Sequence, residues 1–303
     1  MLYSAITPPE KRSRLRAALA SGELLQFPGA FNPLSARLIE RKGFDGVYIS
    51  GAVLSAELGL PDIGLTTLTE VAARAAQIAR MTDLPVLVDA DTGFGESMNV
   101  ARSVQTFEDA GVAALHIEDQ VNPKRCGHLD GKSVVDTGTA LQRIRAAADA
   151  RRDPDLVIMA RTDIRAVEGL DAAIDRARQL VDAGADAIFP EAMRDLSEFA
   201  AVRAALDVPV LANMTEFGKS ELFGADQLRE IGVNLVIYPV SLLRIAMGAA
   251  MRALDTLRAD GSLKAEVPRM QTRAELYELL DYEGYSRFDS DVFSFTLDDH
   301  INT

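Results

Sequence analysis

Short runs of Val, Ile, Leu and Ala alternate along the chain with longer stretches whose apolar residues recur every three or four positions. The runs read LLQFPGA from Leu24, DGVYIS from Asp45, LPVLVDA from Leu84, AALHIED from Ala113, DLVIMART from Asp155, DAIFPE from Asp186, VPVLAN from Val208 and NLVIYPV from Asn234. Because they are apolar almost throughout, they predict strands buried on both faces, as in a parallel sheet. The stretches between them, such as LTEVAARAAQIAR and ALQRIRAAADARR, are alanine-rich with helical spacing. The repeating unit is therefore a strand followed by a helix. Glycines close predicted helices in RKGFDGVYI, DAGVAALHI, DAGADAIF and EIGVNLVIY, where a C-cap turns into left-handed backbone. Eight such units predict an α/β fold of the (β/α)8 TIM-barrel type. An open doubly wound sheet is the alternative, but no G-x-G-x-x-G follows the first strand, and GFGES at 93–97 is only a weak phosphate-loop signal.

Two strand-to-helix connections are long: SGAVLSAELGLPDIGLTT after the second strand and QVNPKRCGHLDGKSVVDTG after the fourth. In barrels such loops form the active face, and long ones are usually functional. The second, at about 120–136, is a candidate lid. After the eighth strand comes SLLRIAMGAAMRALDTLRADG, then a helical extension over about 262–303. The reading is a single barrel domain, 1–303, whose extension packs on its own barrel or on a neighbouring subunit.

Composition narrows the function. The net charge of −13 repels phosphate backbones, so nucleic acid is not an expected partner. One cysteine, Cys126, cannot form an internal disulfide. No apolar run is long enough to cross a membrane, and MLYSAITPPEKRSRLR has no apolar leader core. These features predict a cytoplasmic protein with no membrane partner.

Candidate chemistry gathers at strand ends. Asp89 and Asp91, in LVDADTGFG, are two apart, which on a strand puts both on one side. Adjacent carboxylates repel unless a proton or cation separates them, and Mg2+ suits a few carboxylates plus water. The structural alternative is a turn cap and a solvated acid. Glu118 and Asp119 end the next strand, and Asp62 is within reach from its loop; Glu118 could instead merely pair with Arg161. Arg161, Glu191, Asn213, Thr215 and Arg244 follow strands five to eight. Arginines suit bidentate carboxylate recognition, although any one could be a structural ion pair. Cys126 sits among Lys124, Arg125 and His128, neighbours that favour a thiolate. It reads as a thiol that moves a proton or attacks a carbonyl, or as an ordinary loop cysteine. His116, inside strand four, reads as a satisfied core residue, and zinc is not expected from one Cys and three His in these contexts.

Taken together, VYISGA, GLPDIGLTT, DADTGFG, HIEDQ, KRCGH, ARTD, FPE, NMTEFG, PVSLLR and MQTRAELY resemble the isocitrate lyase/phosphoenolpyruvate mutase superfamily over nearly the whole chain. KRCGH resembles its lyase branch. The resemblance implies Mg2+ (or Mn2+) held by Asp89 and Asp91, directly or through water, with Asp62 and Glu118 nearby. It implies a carboxylate-binding turn at Ser50, Gly51 and Ala52, where the family usually has Ser-Gly-Gly, so Ala52 is a departure. Cys126 and Gly127 would close over the substrate, and Arg161, Glu191, Asn213, Thr215, Arg244 and Arg273 would contact it. Tyr48 would be a phenol near the reacting centre. The implied reaction is cleavage of the tricarboxylate 2-methylisocitrate to pyruvate and succinate, in propionate catabolism. Cys126 would be the general acid, Arg161 a charge stabiliser, and Tyr48 or a metal-linked carboxylate the base. Related 2-hydroxy-carboxylate cleavage, of 2,3-dimethylmalate or isocitrate, is the alternative within enzymes, and a non-catalytic small-acid sensor the alternative outside them. The resemblance also implies a homotetramer, a dimer of helix-swapped dimers.

Overall fold

In a computed structural model, which describes residues 4–125 and 131–294, all eight expected strands form. The chain runs α1 (Pro8–Ala20), β1 (Leu25–Pro28), α2 (Pro33–Arg41), β2 (Val47–Ile49), α3 (Gly51–Glu57), α4 (Leu68–Ala79), β3 (Val86–Asp89), α5 (Ser97–Asp109), β4 (Ala114–Glu118), α6 (Thr137–Ala150) and β5 (Val157–Thr162). It continues through α7 (Arg165–Glu168), α8 (Leu170–Asp182), β6 (Ala187–Pro190), α9 (Leu196–Ala204), β7 (Leu211–Asn213), α10 (Ala225–Glu230), β8 (Leu235–Tyr238) and α11 (Ser241–Asp260). A short 3-10 turn, α12 (Arg273–Leu279) and α13 (Tyr282–Phe293) follow. Compact packing divides the described chain into a barrel unit, Ser4–Ile245, and a second unit that starts at Ala246.

All strand pairs are parallel, in the orders β2-β3-β4-β5-β6 and β1-β8-β7. Single parallel bridges, Gly29 with Tyr48 and Ile188 with Val210, join the two sheets and close the barrel. Gly29 permits a tight crossing there: a Cβ would stand 2.0 Å from the Pro239 carbonyl oxygen. The helix-ending glycines 43, 111, 184 and 232 all have positive φ, as C-caps require.

Alternation along the strands sorts side chains into two apolar layers. Val47, Ile49, Val86, Val88, Leu115, Ile117, Ile158, Ala160 and Ile188 face the helices. Leu25, Phe27, Tyr48, Leu87, Met159, Phe189, Leu211, Leu235 and Ile237 fill the interior with Leu15 and Leu19 of α1. Strands this apolar cannot rest on solvent on either side, so enclosure follows from composition. Continuing the inward parity by two residues reaches Asp89, Glu118, Arg161 and Asn213. The last inward position of several strands is thus polar, above a dry stack.

Candidate active site

The strand register brings these polar ends together. Glu118 is paired with Arg161, and Asp89 with His116, across neighbouring strands. Above them lies a cavity of about 330 Å³, lined among others by Tyr48, Ser50, Ala52, Asp62, Asp89, Lys124, Arg161, Phe189, Glu191, Asn213, Thr215 and Arg244. A volume of this order suits a small carboxylate.

Arg161 is the buried centre of the rim. Its Nε lies 3.0 Å from Asp163 and 3.3 Å from Glu118, and Nη2 lies 3.6 Å from Glu191. Burial would disfavour its charge, but these three carboxylates outweigh it and hold the guanidinium firmly protonated. Glu118 does pair with Arg161, yet its Oε1 is buried with no hydrogen-bond partner among the described residues. Burial pushes the Glu118 carboxyl well above its ordinary range, even against Arg161.

Asp89 accepts from the backbone N–H of Gly51 at 3.1 Å and of Asp91 at 2.9 Å. Burial opposes its charge, but His116, Lys124, Arg161 and the Asp91 N–H together hold it below the usual carboxylate range. Asp91 differs from the sequence expectation in one respect. The strand ends at Asp89, and Asp91 has left-handed backbone, φ 46°, so strand alternation does not orient it. It lines a neighbouring hollow with Thr66, Thr92, Asn99 and Asn122. The two carboxylates nevertheless converge at Gly51, where a Cβ would meet Asp89 Oδ2 at 2.9 Å and Asp91 Oδ1 at 3.7 Å. Burial, with Asp89 adding repulsion, pushes Asp91 up to about 6.

Lys124 answers this repulsion. Its buried Nζ lies 2.5 Å from Asp62 and 2.6 Å from Asp91. Burial works against its charge, but Asp91, Glu118, Asp89 and Asp62 keep it protonated. The sequence presented Lys124 only as positive charge beside Cys126; here it reaches into the acidic rim instead. Among the described residues no three acids or histidines form a closed metal cage. The donor set still fits a hard cation that keeps most of its water: carboxylates around a gap at Gly51, one oxygen without a partner, and a demand for positive charge already expressed in Lys124.

The loop after β4 is pinned at both stems. Val121 N–H donates to Ser133, Val135 N–H donates to Asp119, and Lys132 pairs with Asp163 at 2.7 Å. The Gln120 amide holds both the N–H and the carbonyl of Arg125, at 2.9 and 2.8 Å. Cys126 and Gly127 lie outside the described residues. Ser50 N-caps α3, so Ser50, Gly51 and Ala52 form a turn beside Asp89. Arg244 Nη1 contacts Thr215 at 3.2 Å and Glu216 at 2.8 Å, and its guanidinium carbon lies 5.3 Å over the Phe217 ring. Arg273 opens α12 in the second unit and is exposed.

Sequence reasoning missed Asp163, Phe189, Glu216 and the role of Lys124. Asp163 had a signal, two residues after Arg161 in ARTD. It also left His116 as a satisfied core residue, but only one of its nitrogens is bonded: Nε2 lies 2.8 Å from Tyr48 Oη, and Nδ1 has no partner among the described residues.

A closed parallel barrel with acids and arginines at the carboxyl ends of its strands defines an enzyme-type scaffold for small anionic ligands. The chain belongs to the phosphoenolpyruvate phosphomutase family, which matches residues 15–258. It is 60% identical to the probable 2-methylisocitrate lyase 2 of Corynebacterium glutamicum, over 99% of this chain and 98% of that one. It is 50% identical to the 2-methylisocitrate lyase of Salmonella typhimurium, over 88% and 91%. Among solved structures it resembles an oxaloacetate acetylhydrolase bound to 3,3-difluorooxalacetate (TM-score 0.90, 34% identity, 96% of this chain and 100% of that one). It also resembles a 2,3-dimethylmalate lyase (TM-score 0.87, 36% identity, 95% and 96%).

Proposed function

We propose that this chain is a metal-dependent carbon–carbon lyase that cleaves 2-methylisocitrate to pyruvate and succinate, the activity for which its relatives are named. The observation that carries the reading is the single cavity that unites Asp89, Arg161, Glu191, Asn213, Thr215 and Arg244. Its charges also argue for a cation. Asp62, Asp89, Glu191 and Glu216 line it against Lys124, Arg161 and Arg244, a balance that would repel a tricarboxylate. Asp89 and Asp91 would hold Mg2+ (or Mn2+), directly or through water, with Asp62 and Glu118 beside them. When bound, the ion supplies Lewis-acid polarisation of the 2-hydroxy-carboxylate oxygens.

The chain's own residues account for the remaining steps. The Ser50–Gly51–Ala52 turn receives one carboxylate, and Arg161, Arg244, Glu191, Asn213 and Thr215 orient the others. A base takes the hydroxyl proton; the carbon–carbon bond then breaks, giving the keto group of pyruvate and leaving its electron pair on the succinate fragment. Burial and Asp89 push the Tyr48 phenol well above its ordinary range, so a rim carboxylate is the better base. Arg161 stabilises the carbanion, and Cys126, with Gly127 closing over the site, donates the proton that completes succinate. A Cys126→Ser variant should fold normally and lose about 10²–10⁴-fold in turnover, by analogy with lost general acids; near-normal kcat would reject this role.

The proposed setting is propionate catabolism in the cytoplasm; no helix among the described residues is long and apolar enough to cross a membrane. A homotetramer with exchanged helices is consistent with α11, which buries no residue and exposes Ile245, Met247, Met251 and Leu254. Ala52 on the cavity wall keeps cleavage of 2,3-dimethylmalate or isocitrate as a second reading. The deciding assay is purified protein with Mg2+ and racemic 2-methylisocitrate, run beside those two acids. Pyruvate and succinate formed fastest from 2-methylisocitrate support the proposal, and preference for either competitor replaces it.

A further inference from the structure

We propose that His116 is a positioning residue that turns the Tyr48 hydroxyl proton into the cavity, making Tyr48 a hydrogen-bond donor to the substrate. His116 is fully buried in the barrel interior, stacked near Tyr48 and set edge-on against Phe189, with ring centroids 5.9 and 5.1 Å away. Its Nε2 is 2.8 Å from Tyr48 Oη, and its Nδ1 has no hydrogen-bond partner among the described residues. Two arrangements of that contact exist. If Tyr48 donates to Nε2, the ring proton sits on Nδ1 as a buried N–H with no acceptor. A doubly protonated ring has the same orphaned N–H. If Nε2–H donates to Tyr48 Oη, Nδ1 is left a bare acceptor. Orphaned buried N–H groups are rarer than under-satisfied acceptors, so the proton belongs on Nε2.

That choice has a chemical result. With a lone pair of Oη taken by Nε2–H, the phenolic proton cannot lie along the same line and must point elsewhere. Tyr48 lines the cavity, and no other hydrogen bond from its hydroxyl is made among the described residues. The O–H is thereby reserved for an oxygen of the bound substrate, where a pre-aimed donor stabilises developing charge without reorganisation. Tyr48 then serves as a donor, and His116 acts only through it. The catalytic part of this inference rests on the lyase reading above; the position of the proton does not.

The experiment has two arms to match. Protein carrying 15N-labelled histidine has three histidines, and H128N and H300N variants identify the His116 signals by elimination. Long-range 1H–15N correlation of the metal-free wild type should show His116 Nε2 protonated and Nδ1 bare. Protonation at Nδ1, alone or together with Nε2, overturns the proposal whatever the substrate proves to be. In the kinetic arm, His116→Leu should lower kcat by roughly 30-fold with KM nearly unchanged, and His116→Gln, which keeps an N–H, should recover most of it. Y48F should lose about as much as H116L, and the double variant no more than Y48F alone. Losses that multiply, or an effect confined to KM, would mean that His116 does not act through Tyr48.

Discussion

The two ends of the barrel treat buried charge in opposite ways. At the N-terminal end, α1 inserts Lys11 and Arg12, both nearly inaccessible. Lys11 Nζ donates to the carbonyls of Ala79 at 2.7 Å and Thr82 at 2.5 Å. Arg12 donates to the carbonyls of Val112 and Glu108 and pairs with Asp153 at 2.9 Å. Each charge there has a dedicated partner. At the C-terminal end, Asp62, Asp89, Asp91, Glu118, Asp163 and Glu191 crowd around Lys124 and Arg161, and Glu118 Oε1 and His116 Nδ1 go without partners. Four non-glycine residues with positive φ, Asp91, Phe94, Ala192 and Phe217, lie in the loops of that same end. Satisfied charge holds the fold; unsatisfied charge and local strain mark where a ligand completes the structure.

The largest expected effect breaks the unsatisfied end. Asp89→Ala removes the acceptor of two backbone N–H groups and a carboxylate proposed to hold the metal. Activity per folded molecule should fall by about 10³-fold or more, beside a stability loss of about 1–3 kcal/mol from the two orphaned N–H groups, and chelation of wild type should have the same effect on rate. Appreciable turnover in EDTA would count against the metal reading. At the other end, Arg12→Ala leaves Asp153 and the Val112 carbonyl without their Arg12 donor and takes one of several donors from the Glu108 carbonyl. It should destabilise by about 3 kcal/mol, as broken buried pairs do, with kcat per folded molecule unchanged. A large kcat loss in fully folded R12A would mean that the two ends are coupled.

The same contrast explains what was legible in the sequence. The strands could be read because enclosure leaves an almost unbroken apolar signature, and the glycines at 43, 111, 184 and 232 marked the helix ends. Asp89, Glu118, Arg161 and Asn213 could be read because each continues the inward parity of its strand. Contacts made across the barrel could not. Lys124 enters from a loop and reaches Asp62, 62 positions away in the chain. His116 and Tyr48 meet from different strands, 68 positions apart. Asp91 was placed by strand alternation, which fails at a left-handed turn. Local pattern reports which residues face inward; the partner each one finds depends on closure of the whole ring.

Asp91→Asn sharpens the comparison because fold and function should respond with opposite signs. In the folded state the Asp91 carboxyl is raised from 3.8 to about 6, first by burial and then by Asp89. Between about pH 4 and 6 the folded protein therefore binds more protons than the unfolded chain, and stability falls as pH rises through that window. Above it, the buried charge remains a destabilising load. Asparagine does not titrate and still offers Lys124 an oxygen. The variant should gain about 1–2 kcal/mol at pH 7.5 in metal-free protein, lose that gain as pH falls below about 4, and be inactive. Denaturant melts of both proteins at several pH values read this directly; a variant less stable at pH 7.5 would show that Asp91 is as well satisfied as Arg12.

The smallest effect belongs to Arg152, which shares Glu108 with Arg12 but stands at the surface. Its side chain is half exposed, lying 3.3 Å from Glu108 Oε2 and 2.5 Å from an exposed Asp109. Glu108 does not depend on that guanidinium. Its Oε2 also accepts the backbone N–H of Arg152 at 3.0 Å, and its Oε1 accepts that of Asp153 at 2.8 Å. Both donors survive an Arg152→Ala substitution, so no buried group is orphaned, and water replaces what the exposed pair supplied. The thermal midpoint of R152A should therefore match wild type within error, beside a clear loss in R12A. If the two arginines proved equal, number of ion pairs, rather than burial and satisfaction of the partner, would govern stability at this end of the barrel.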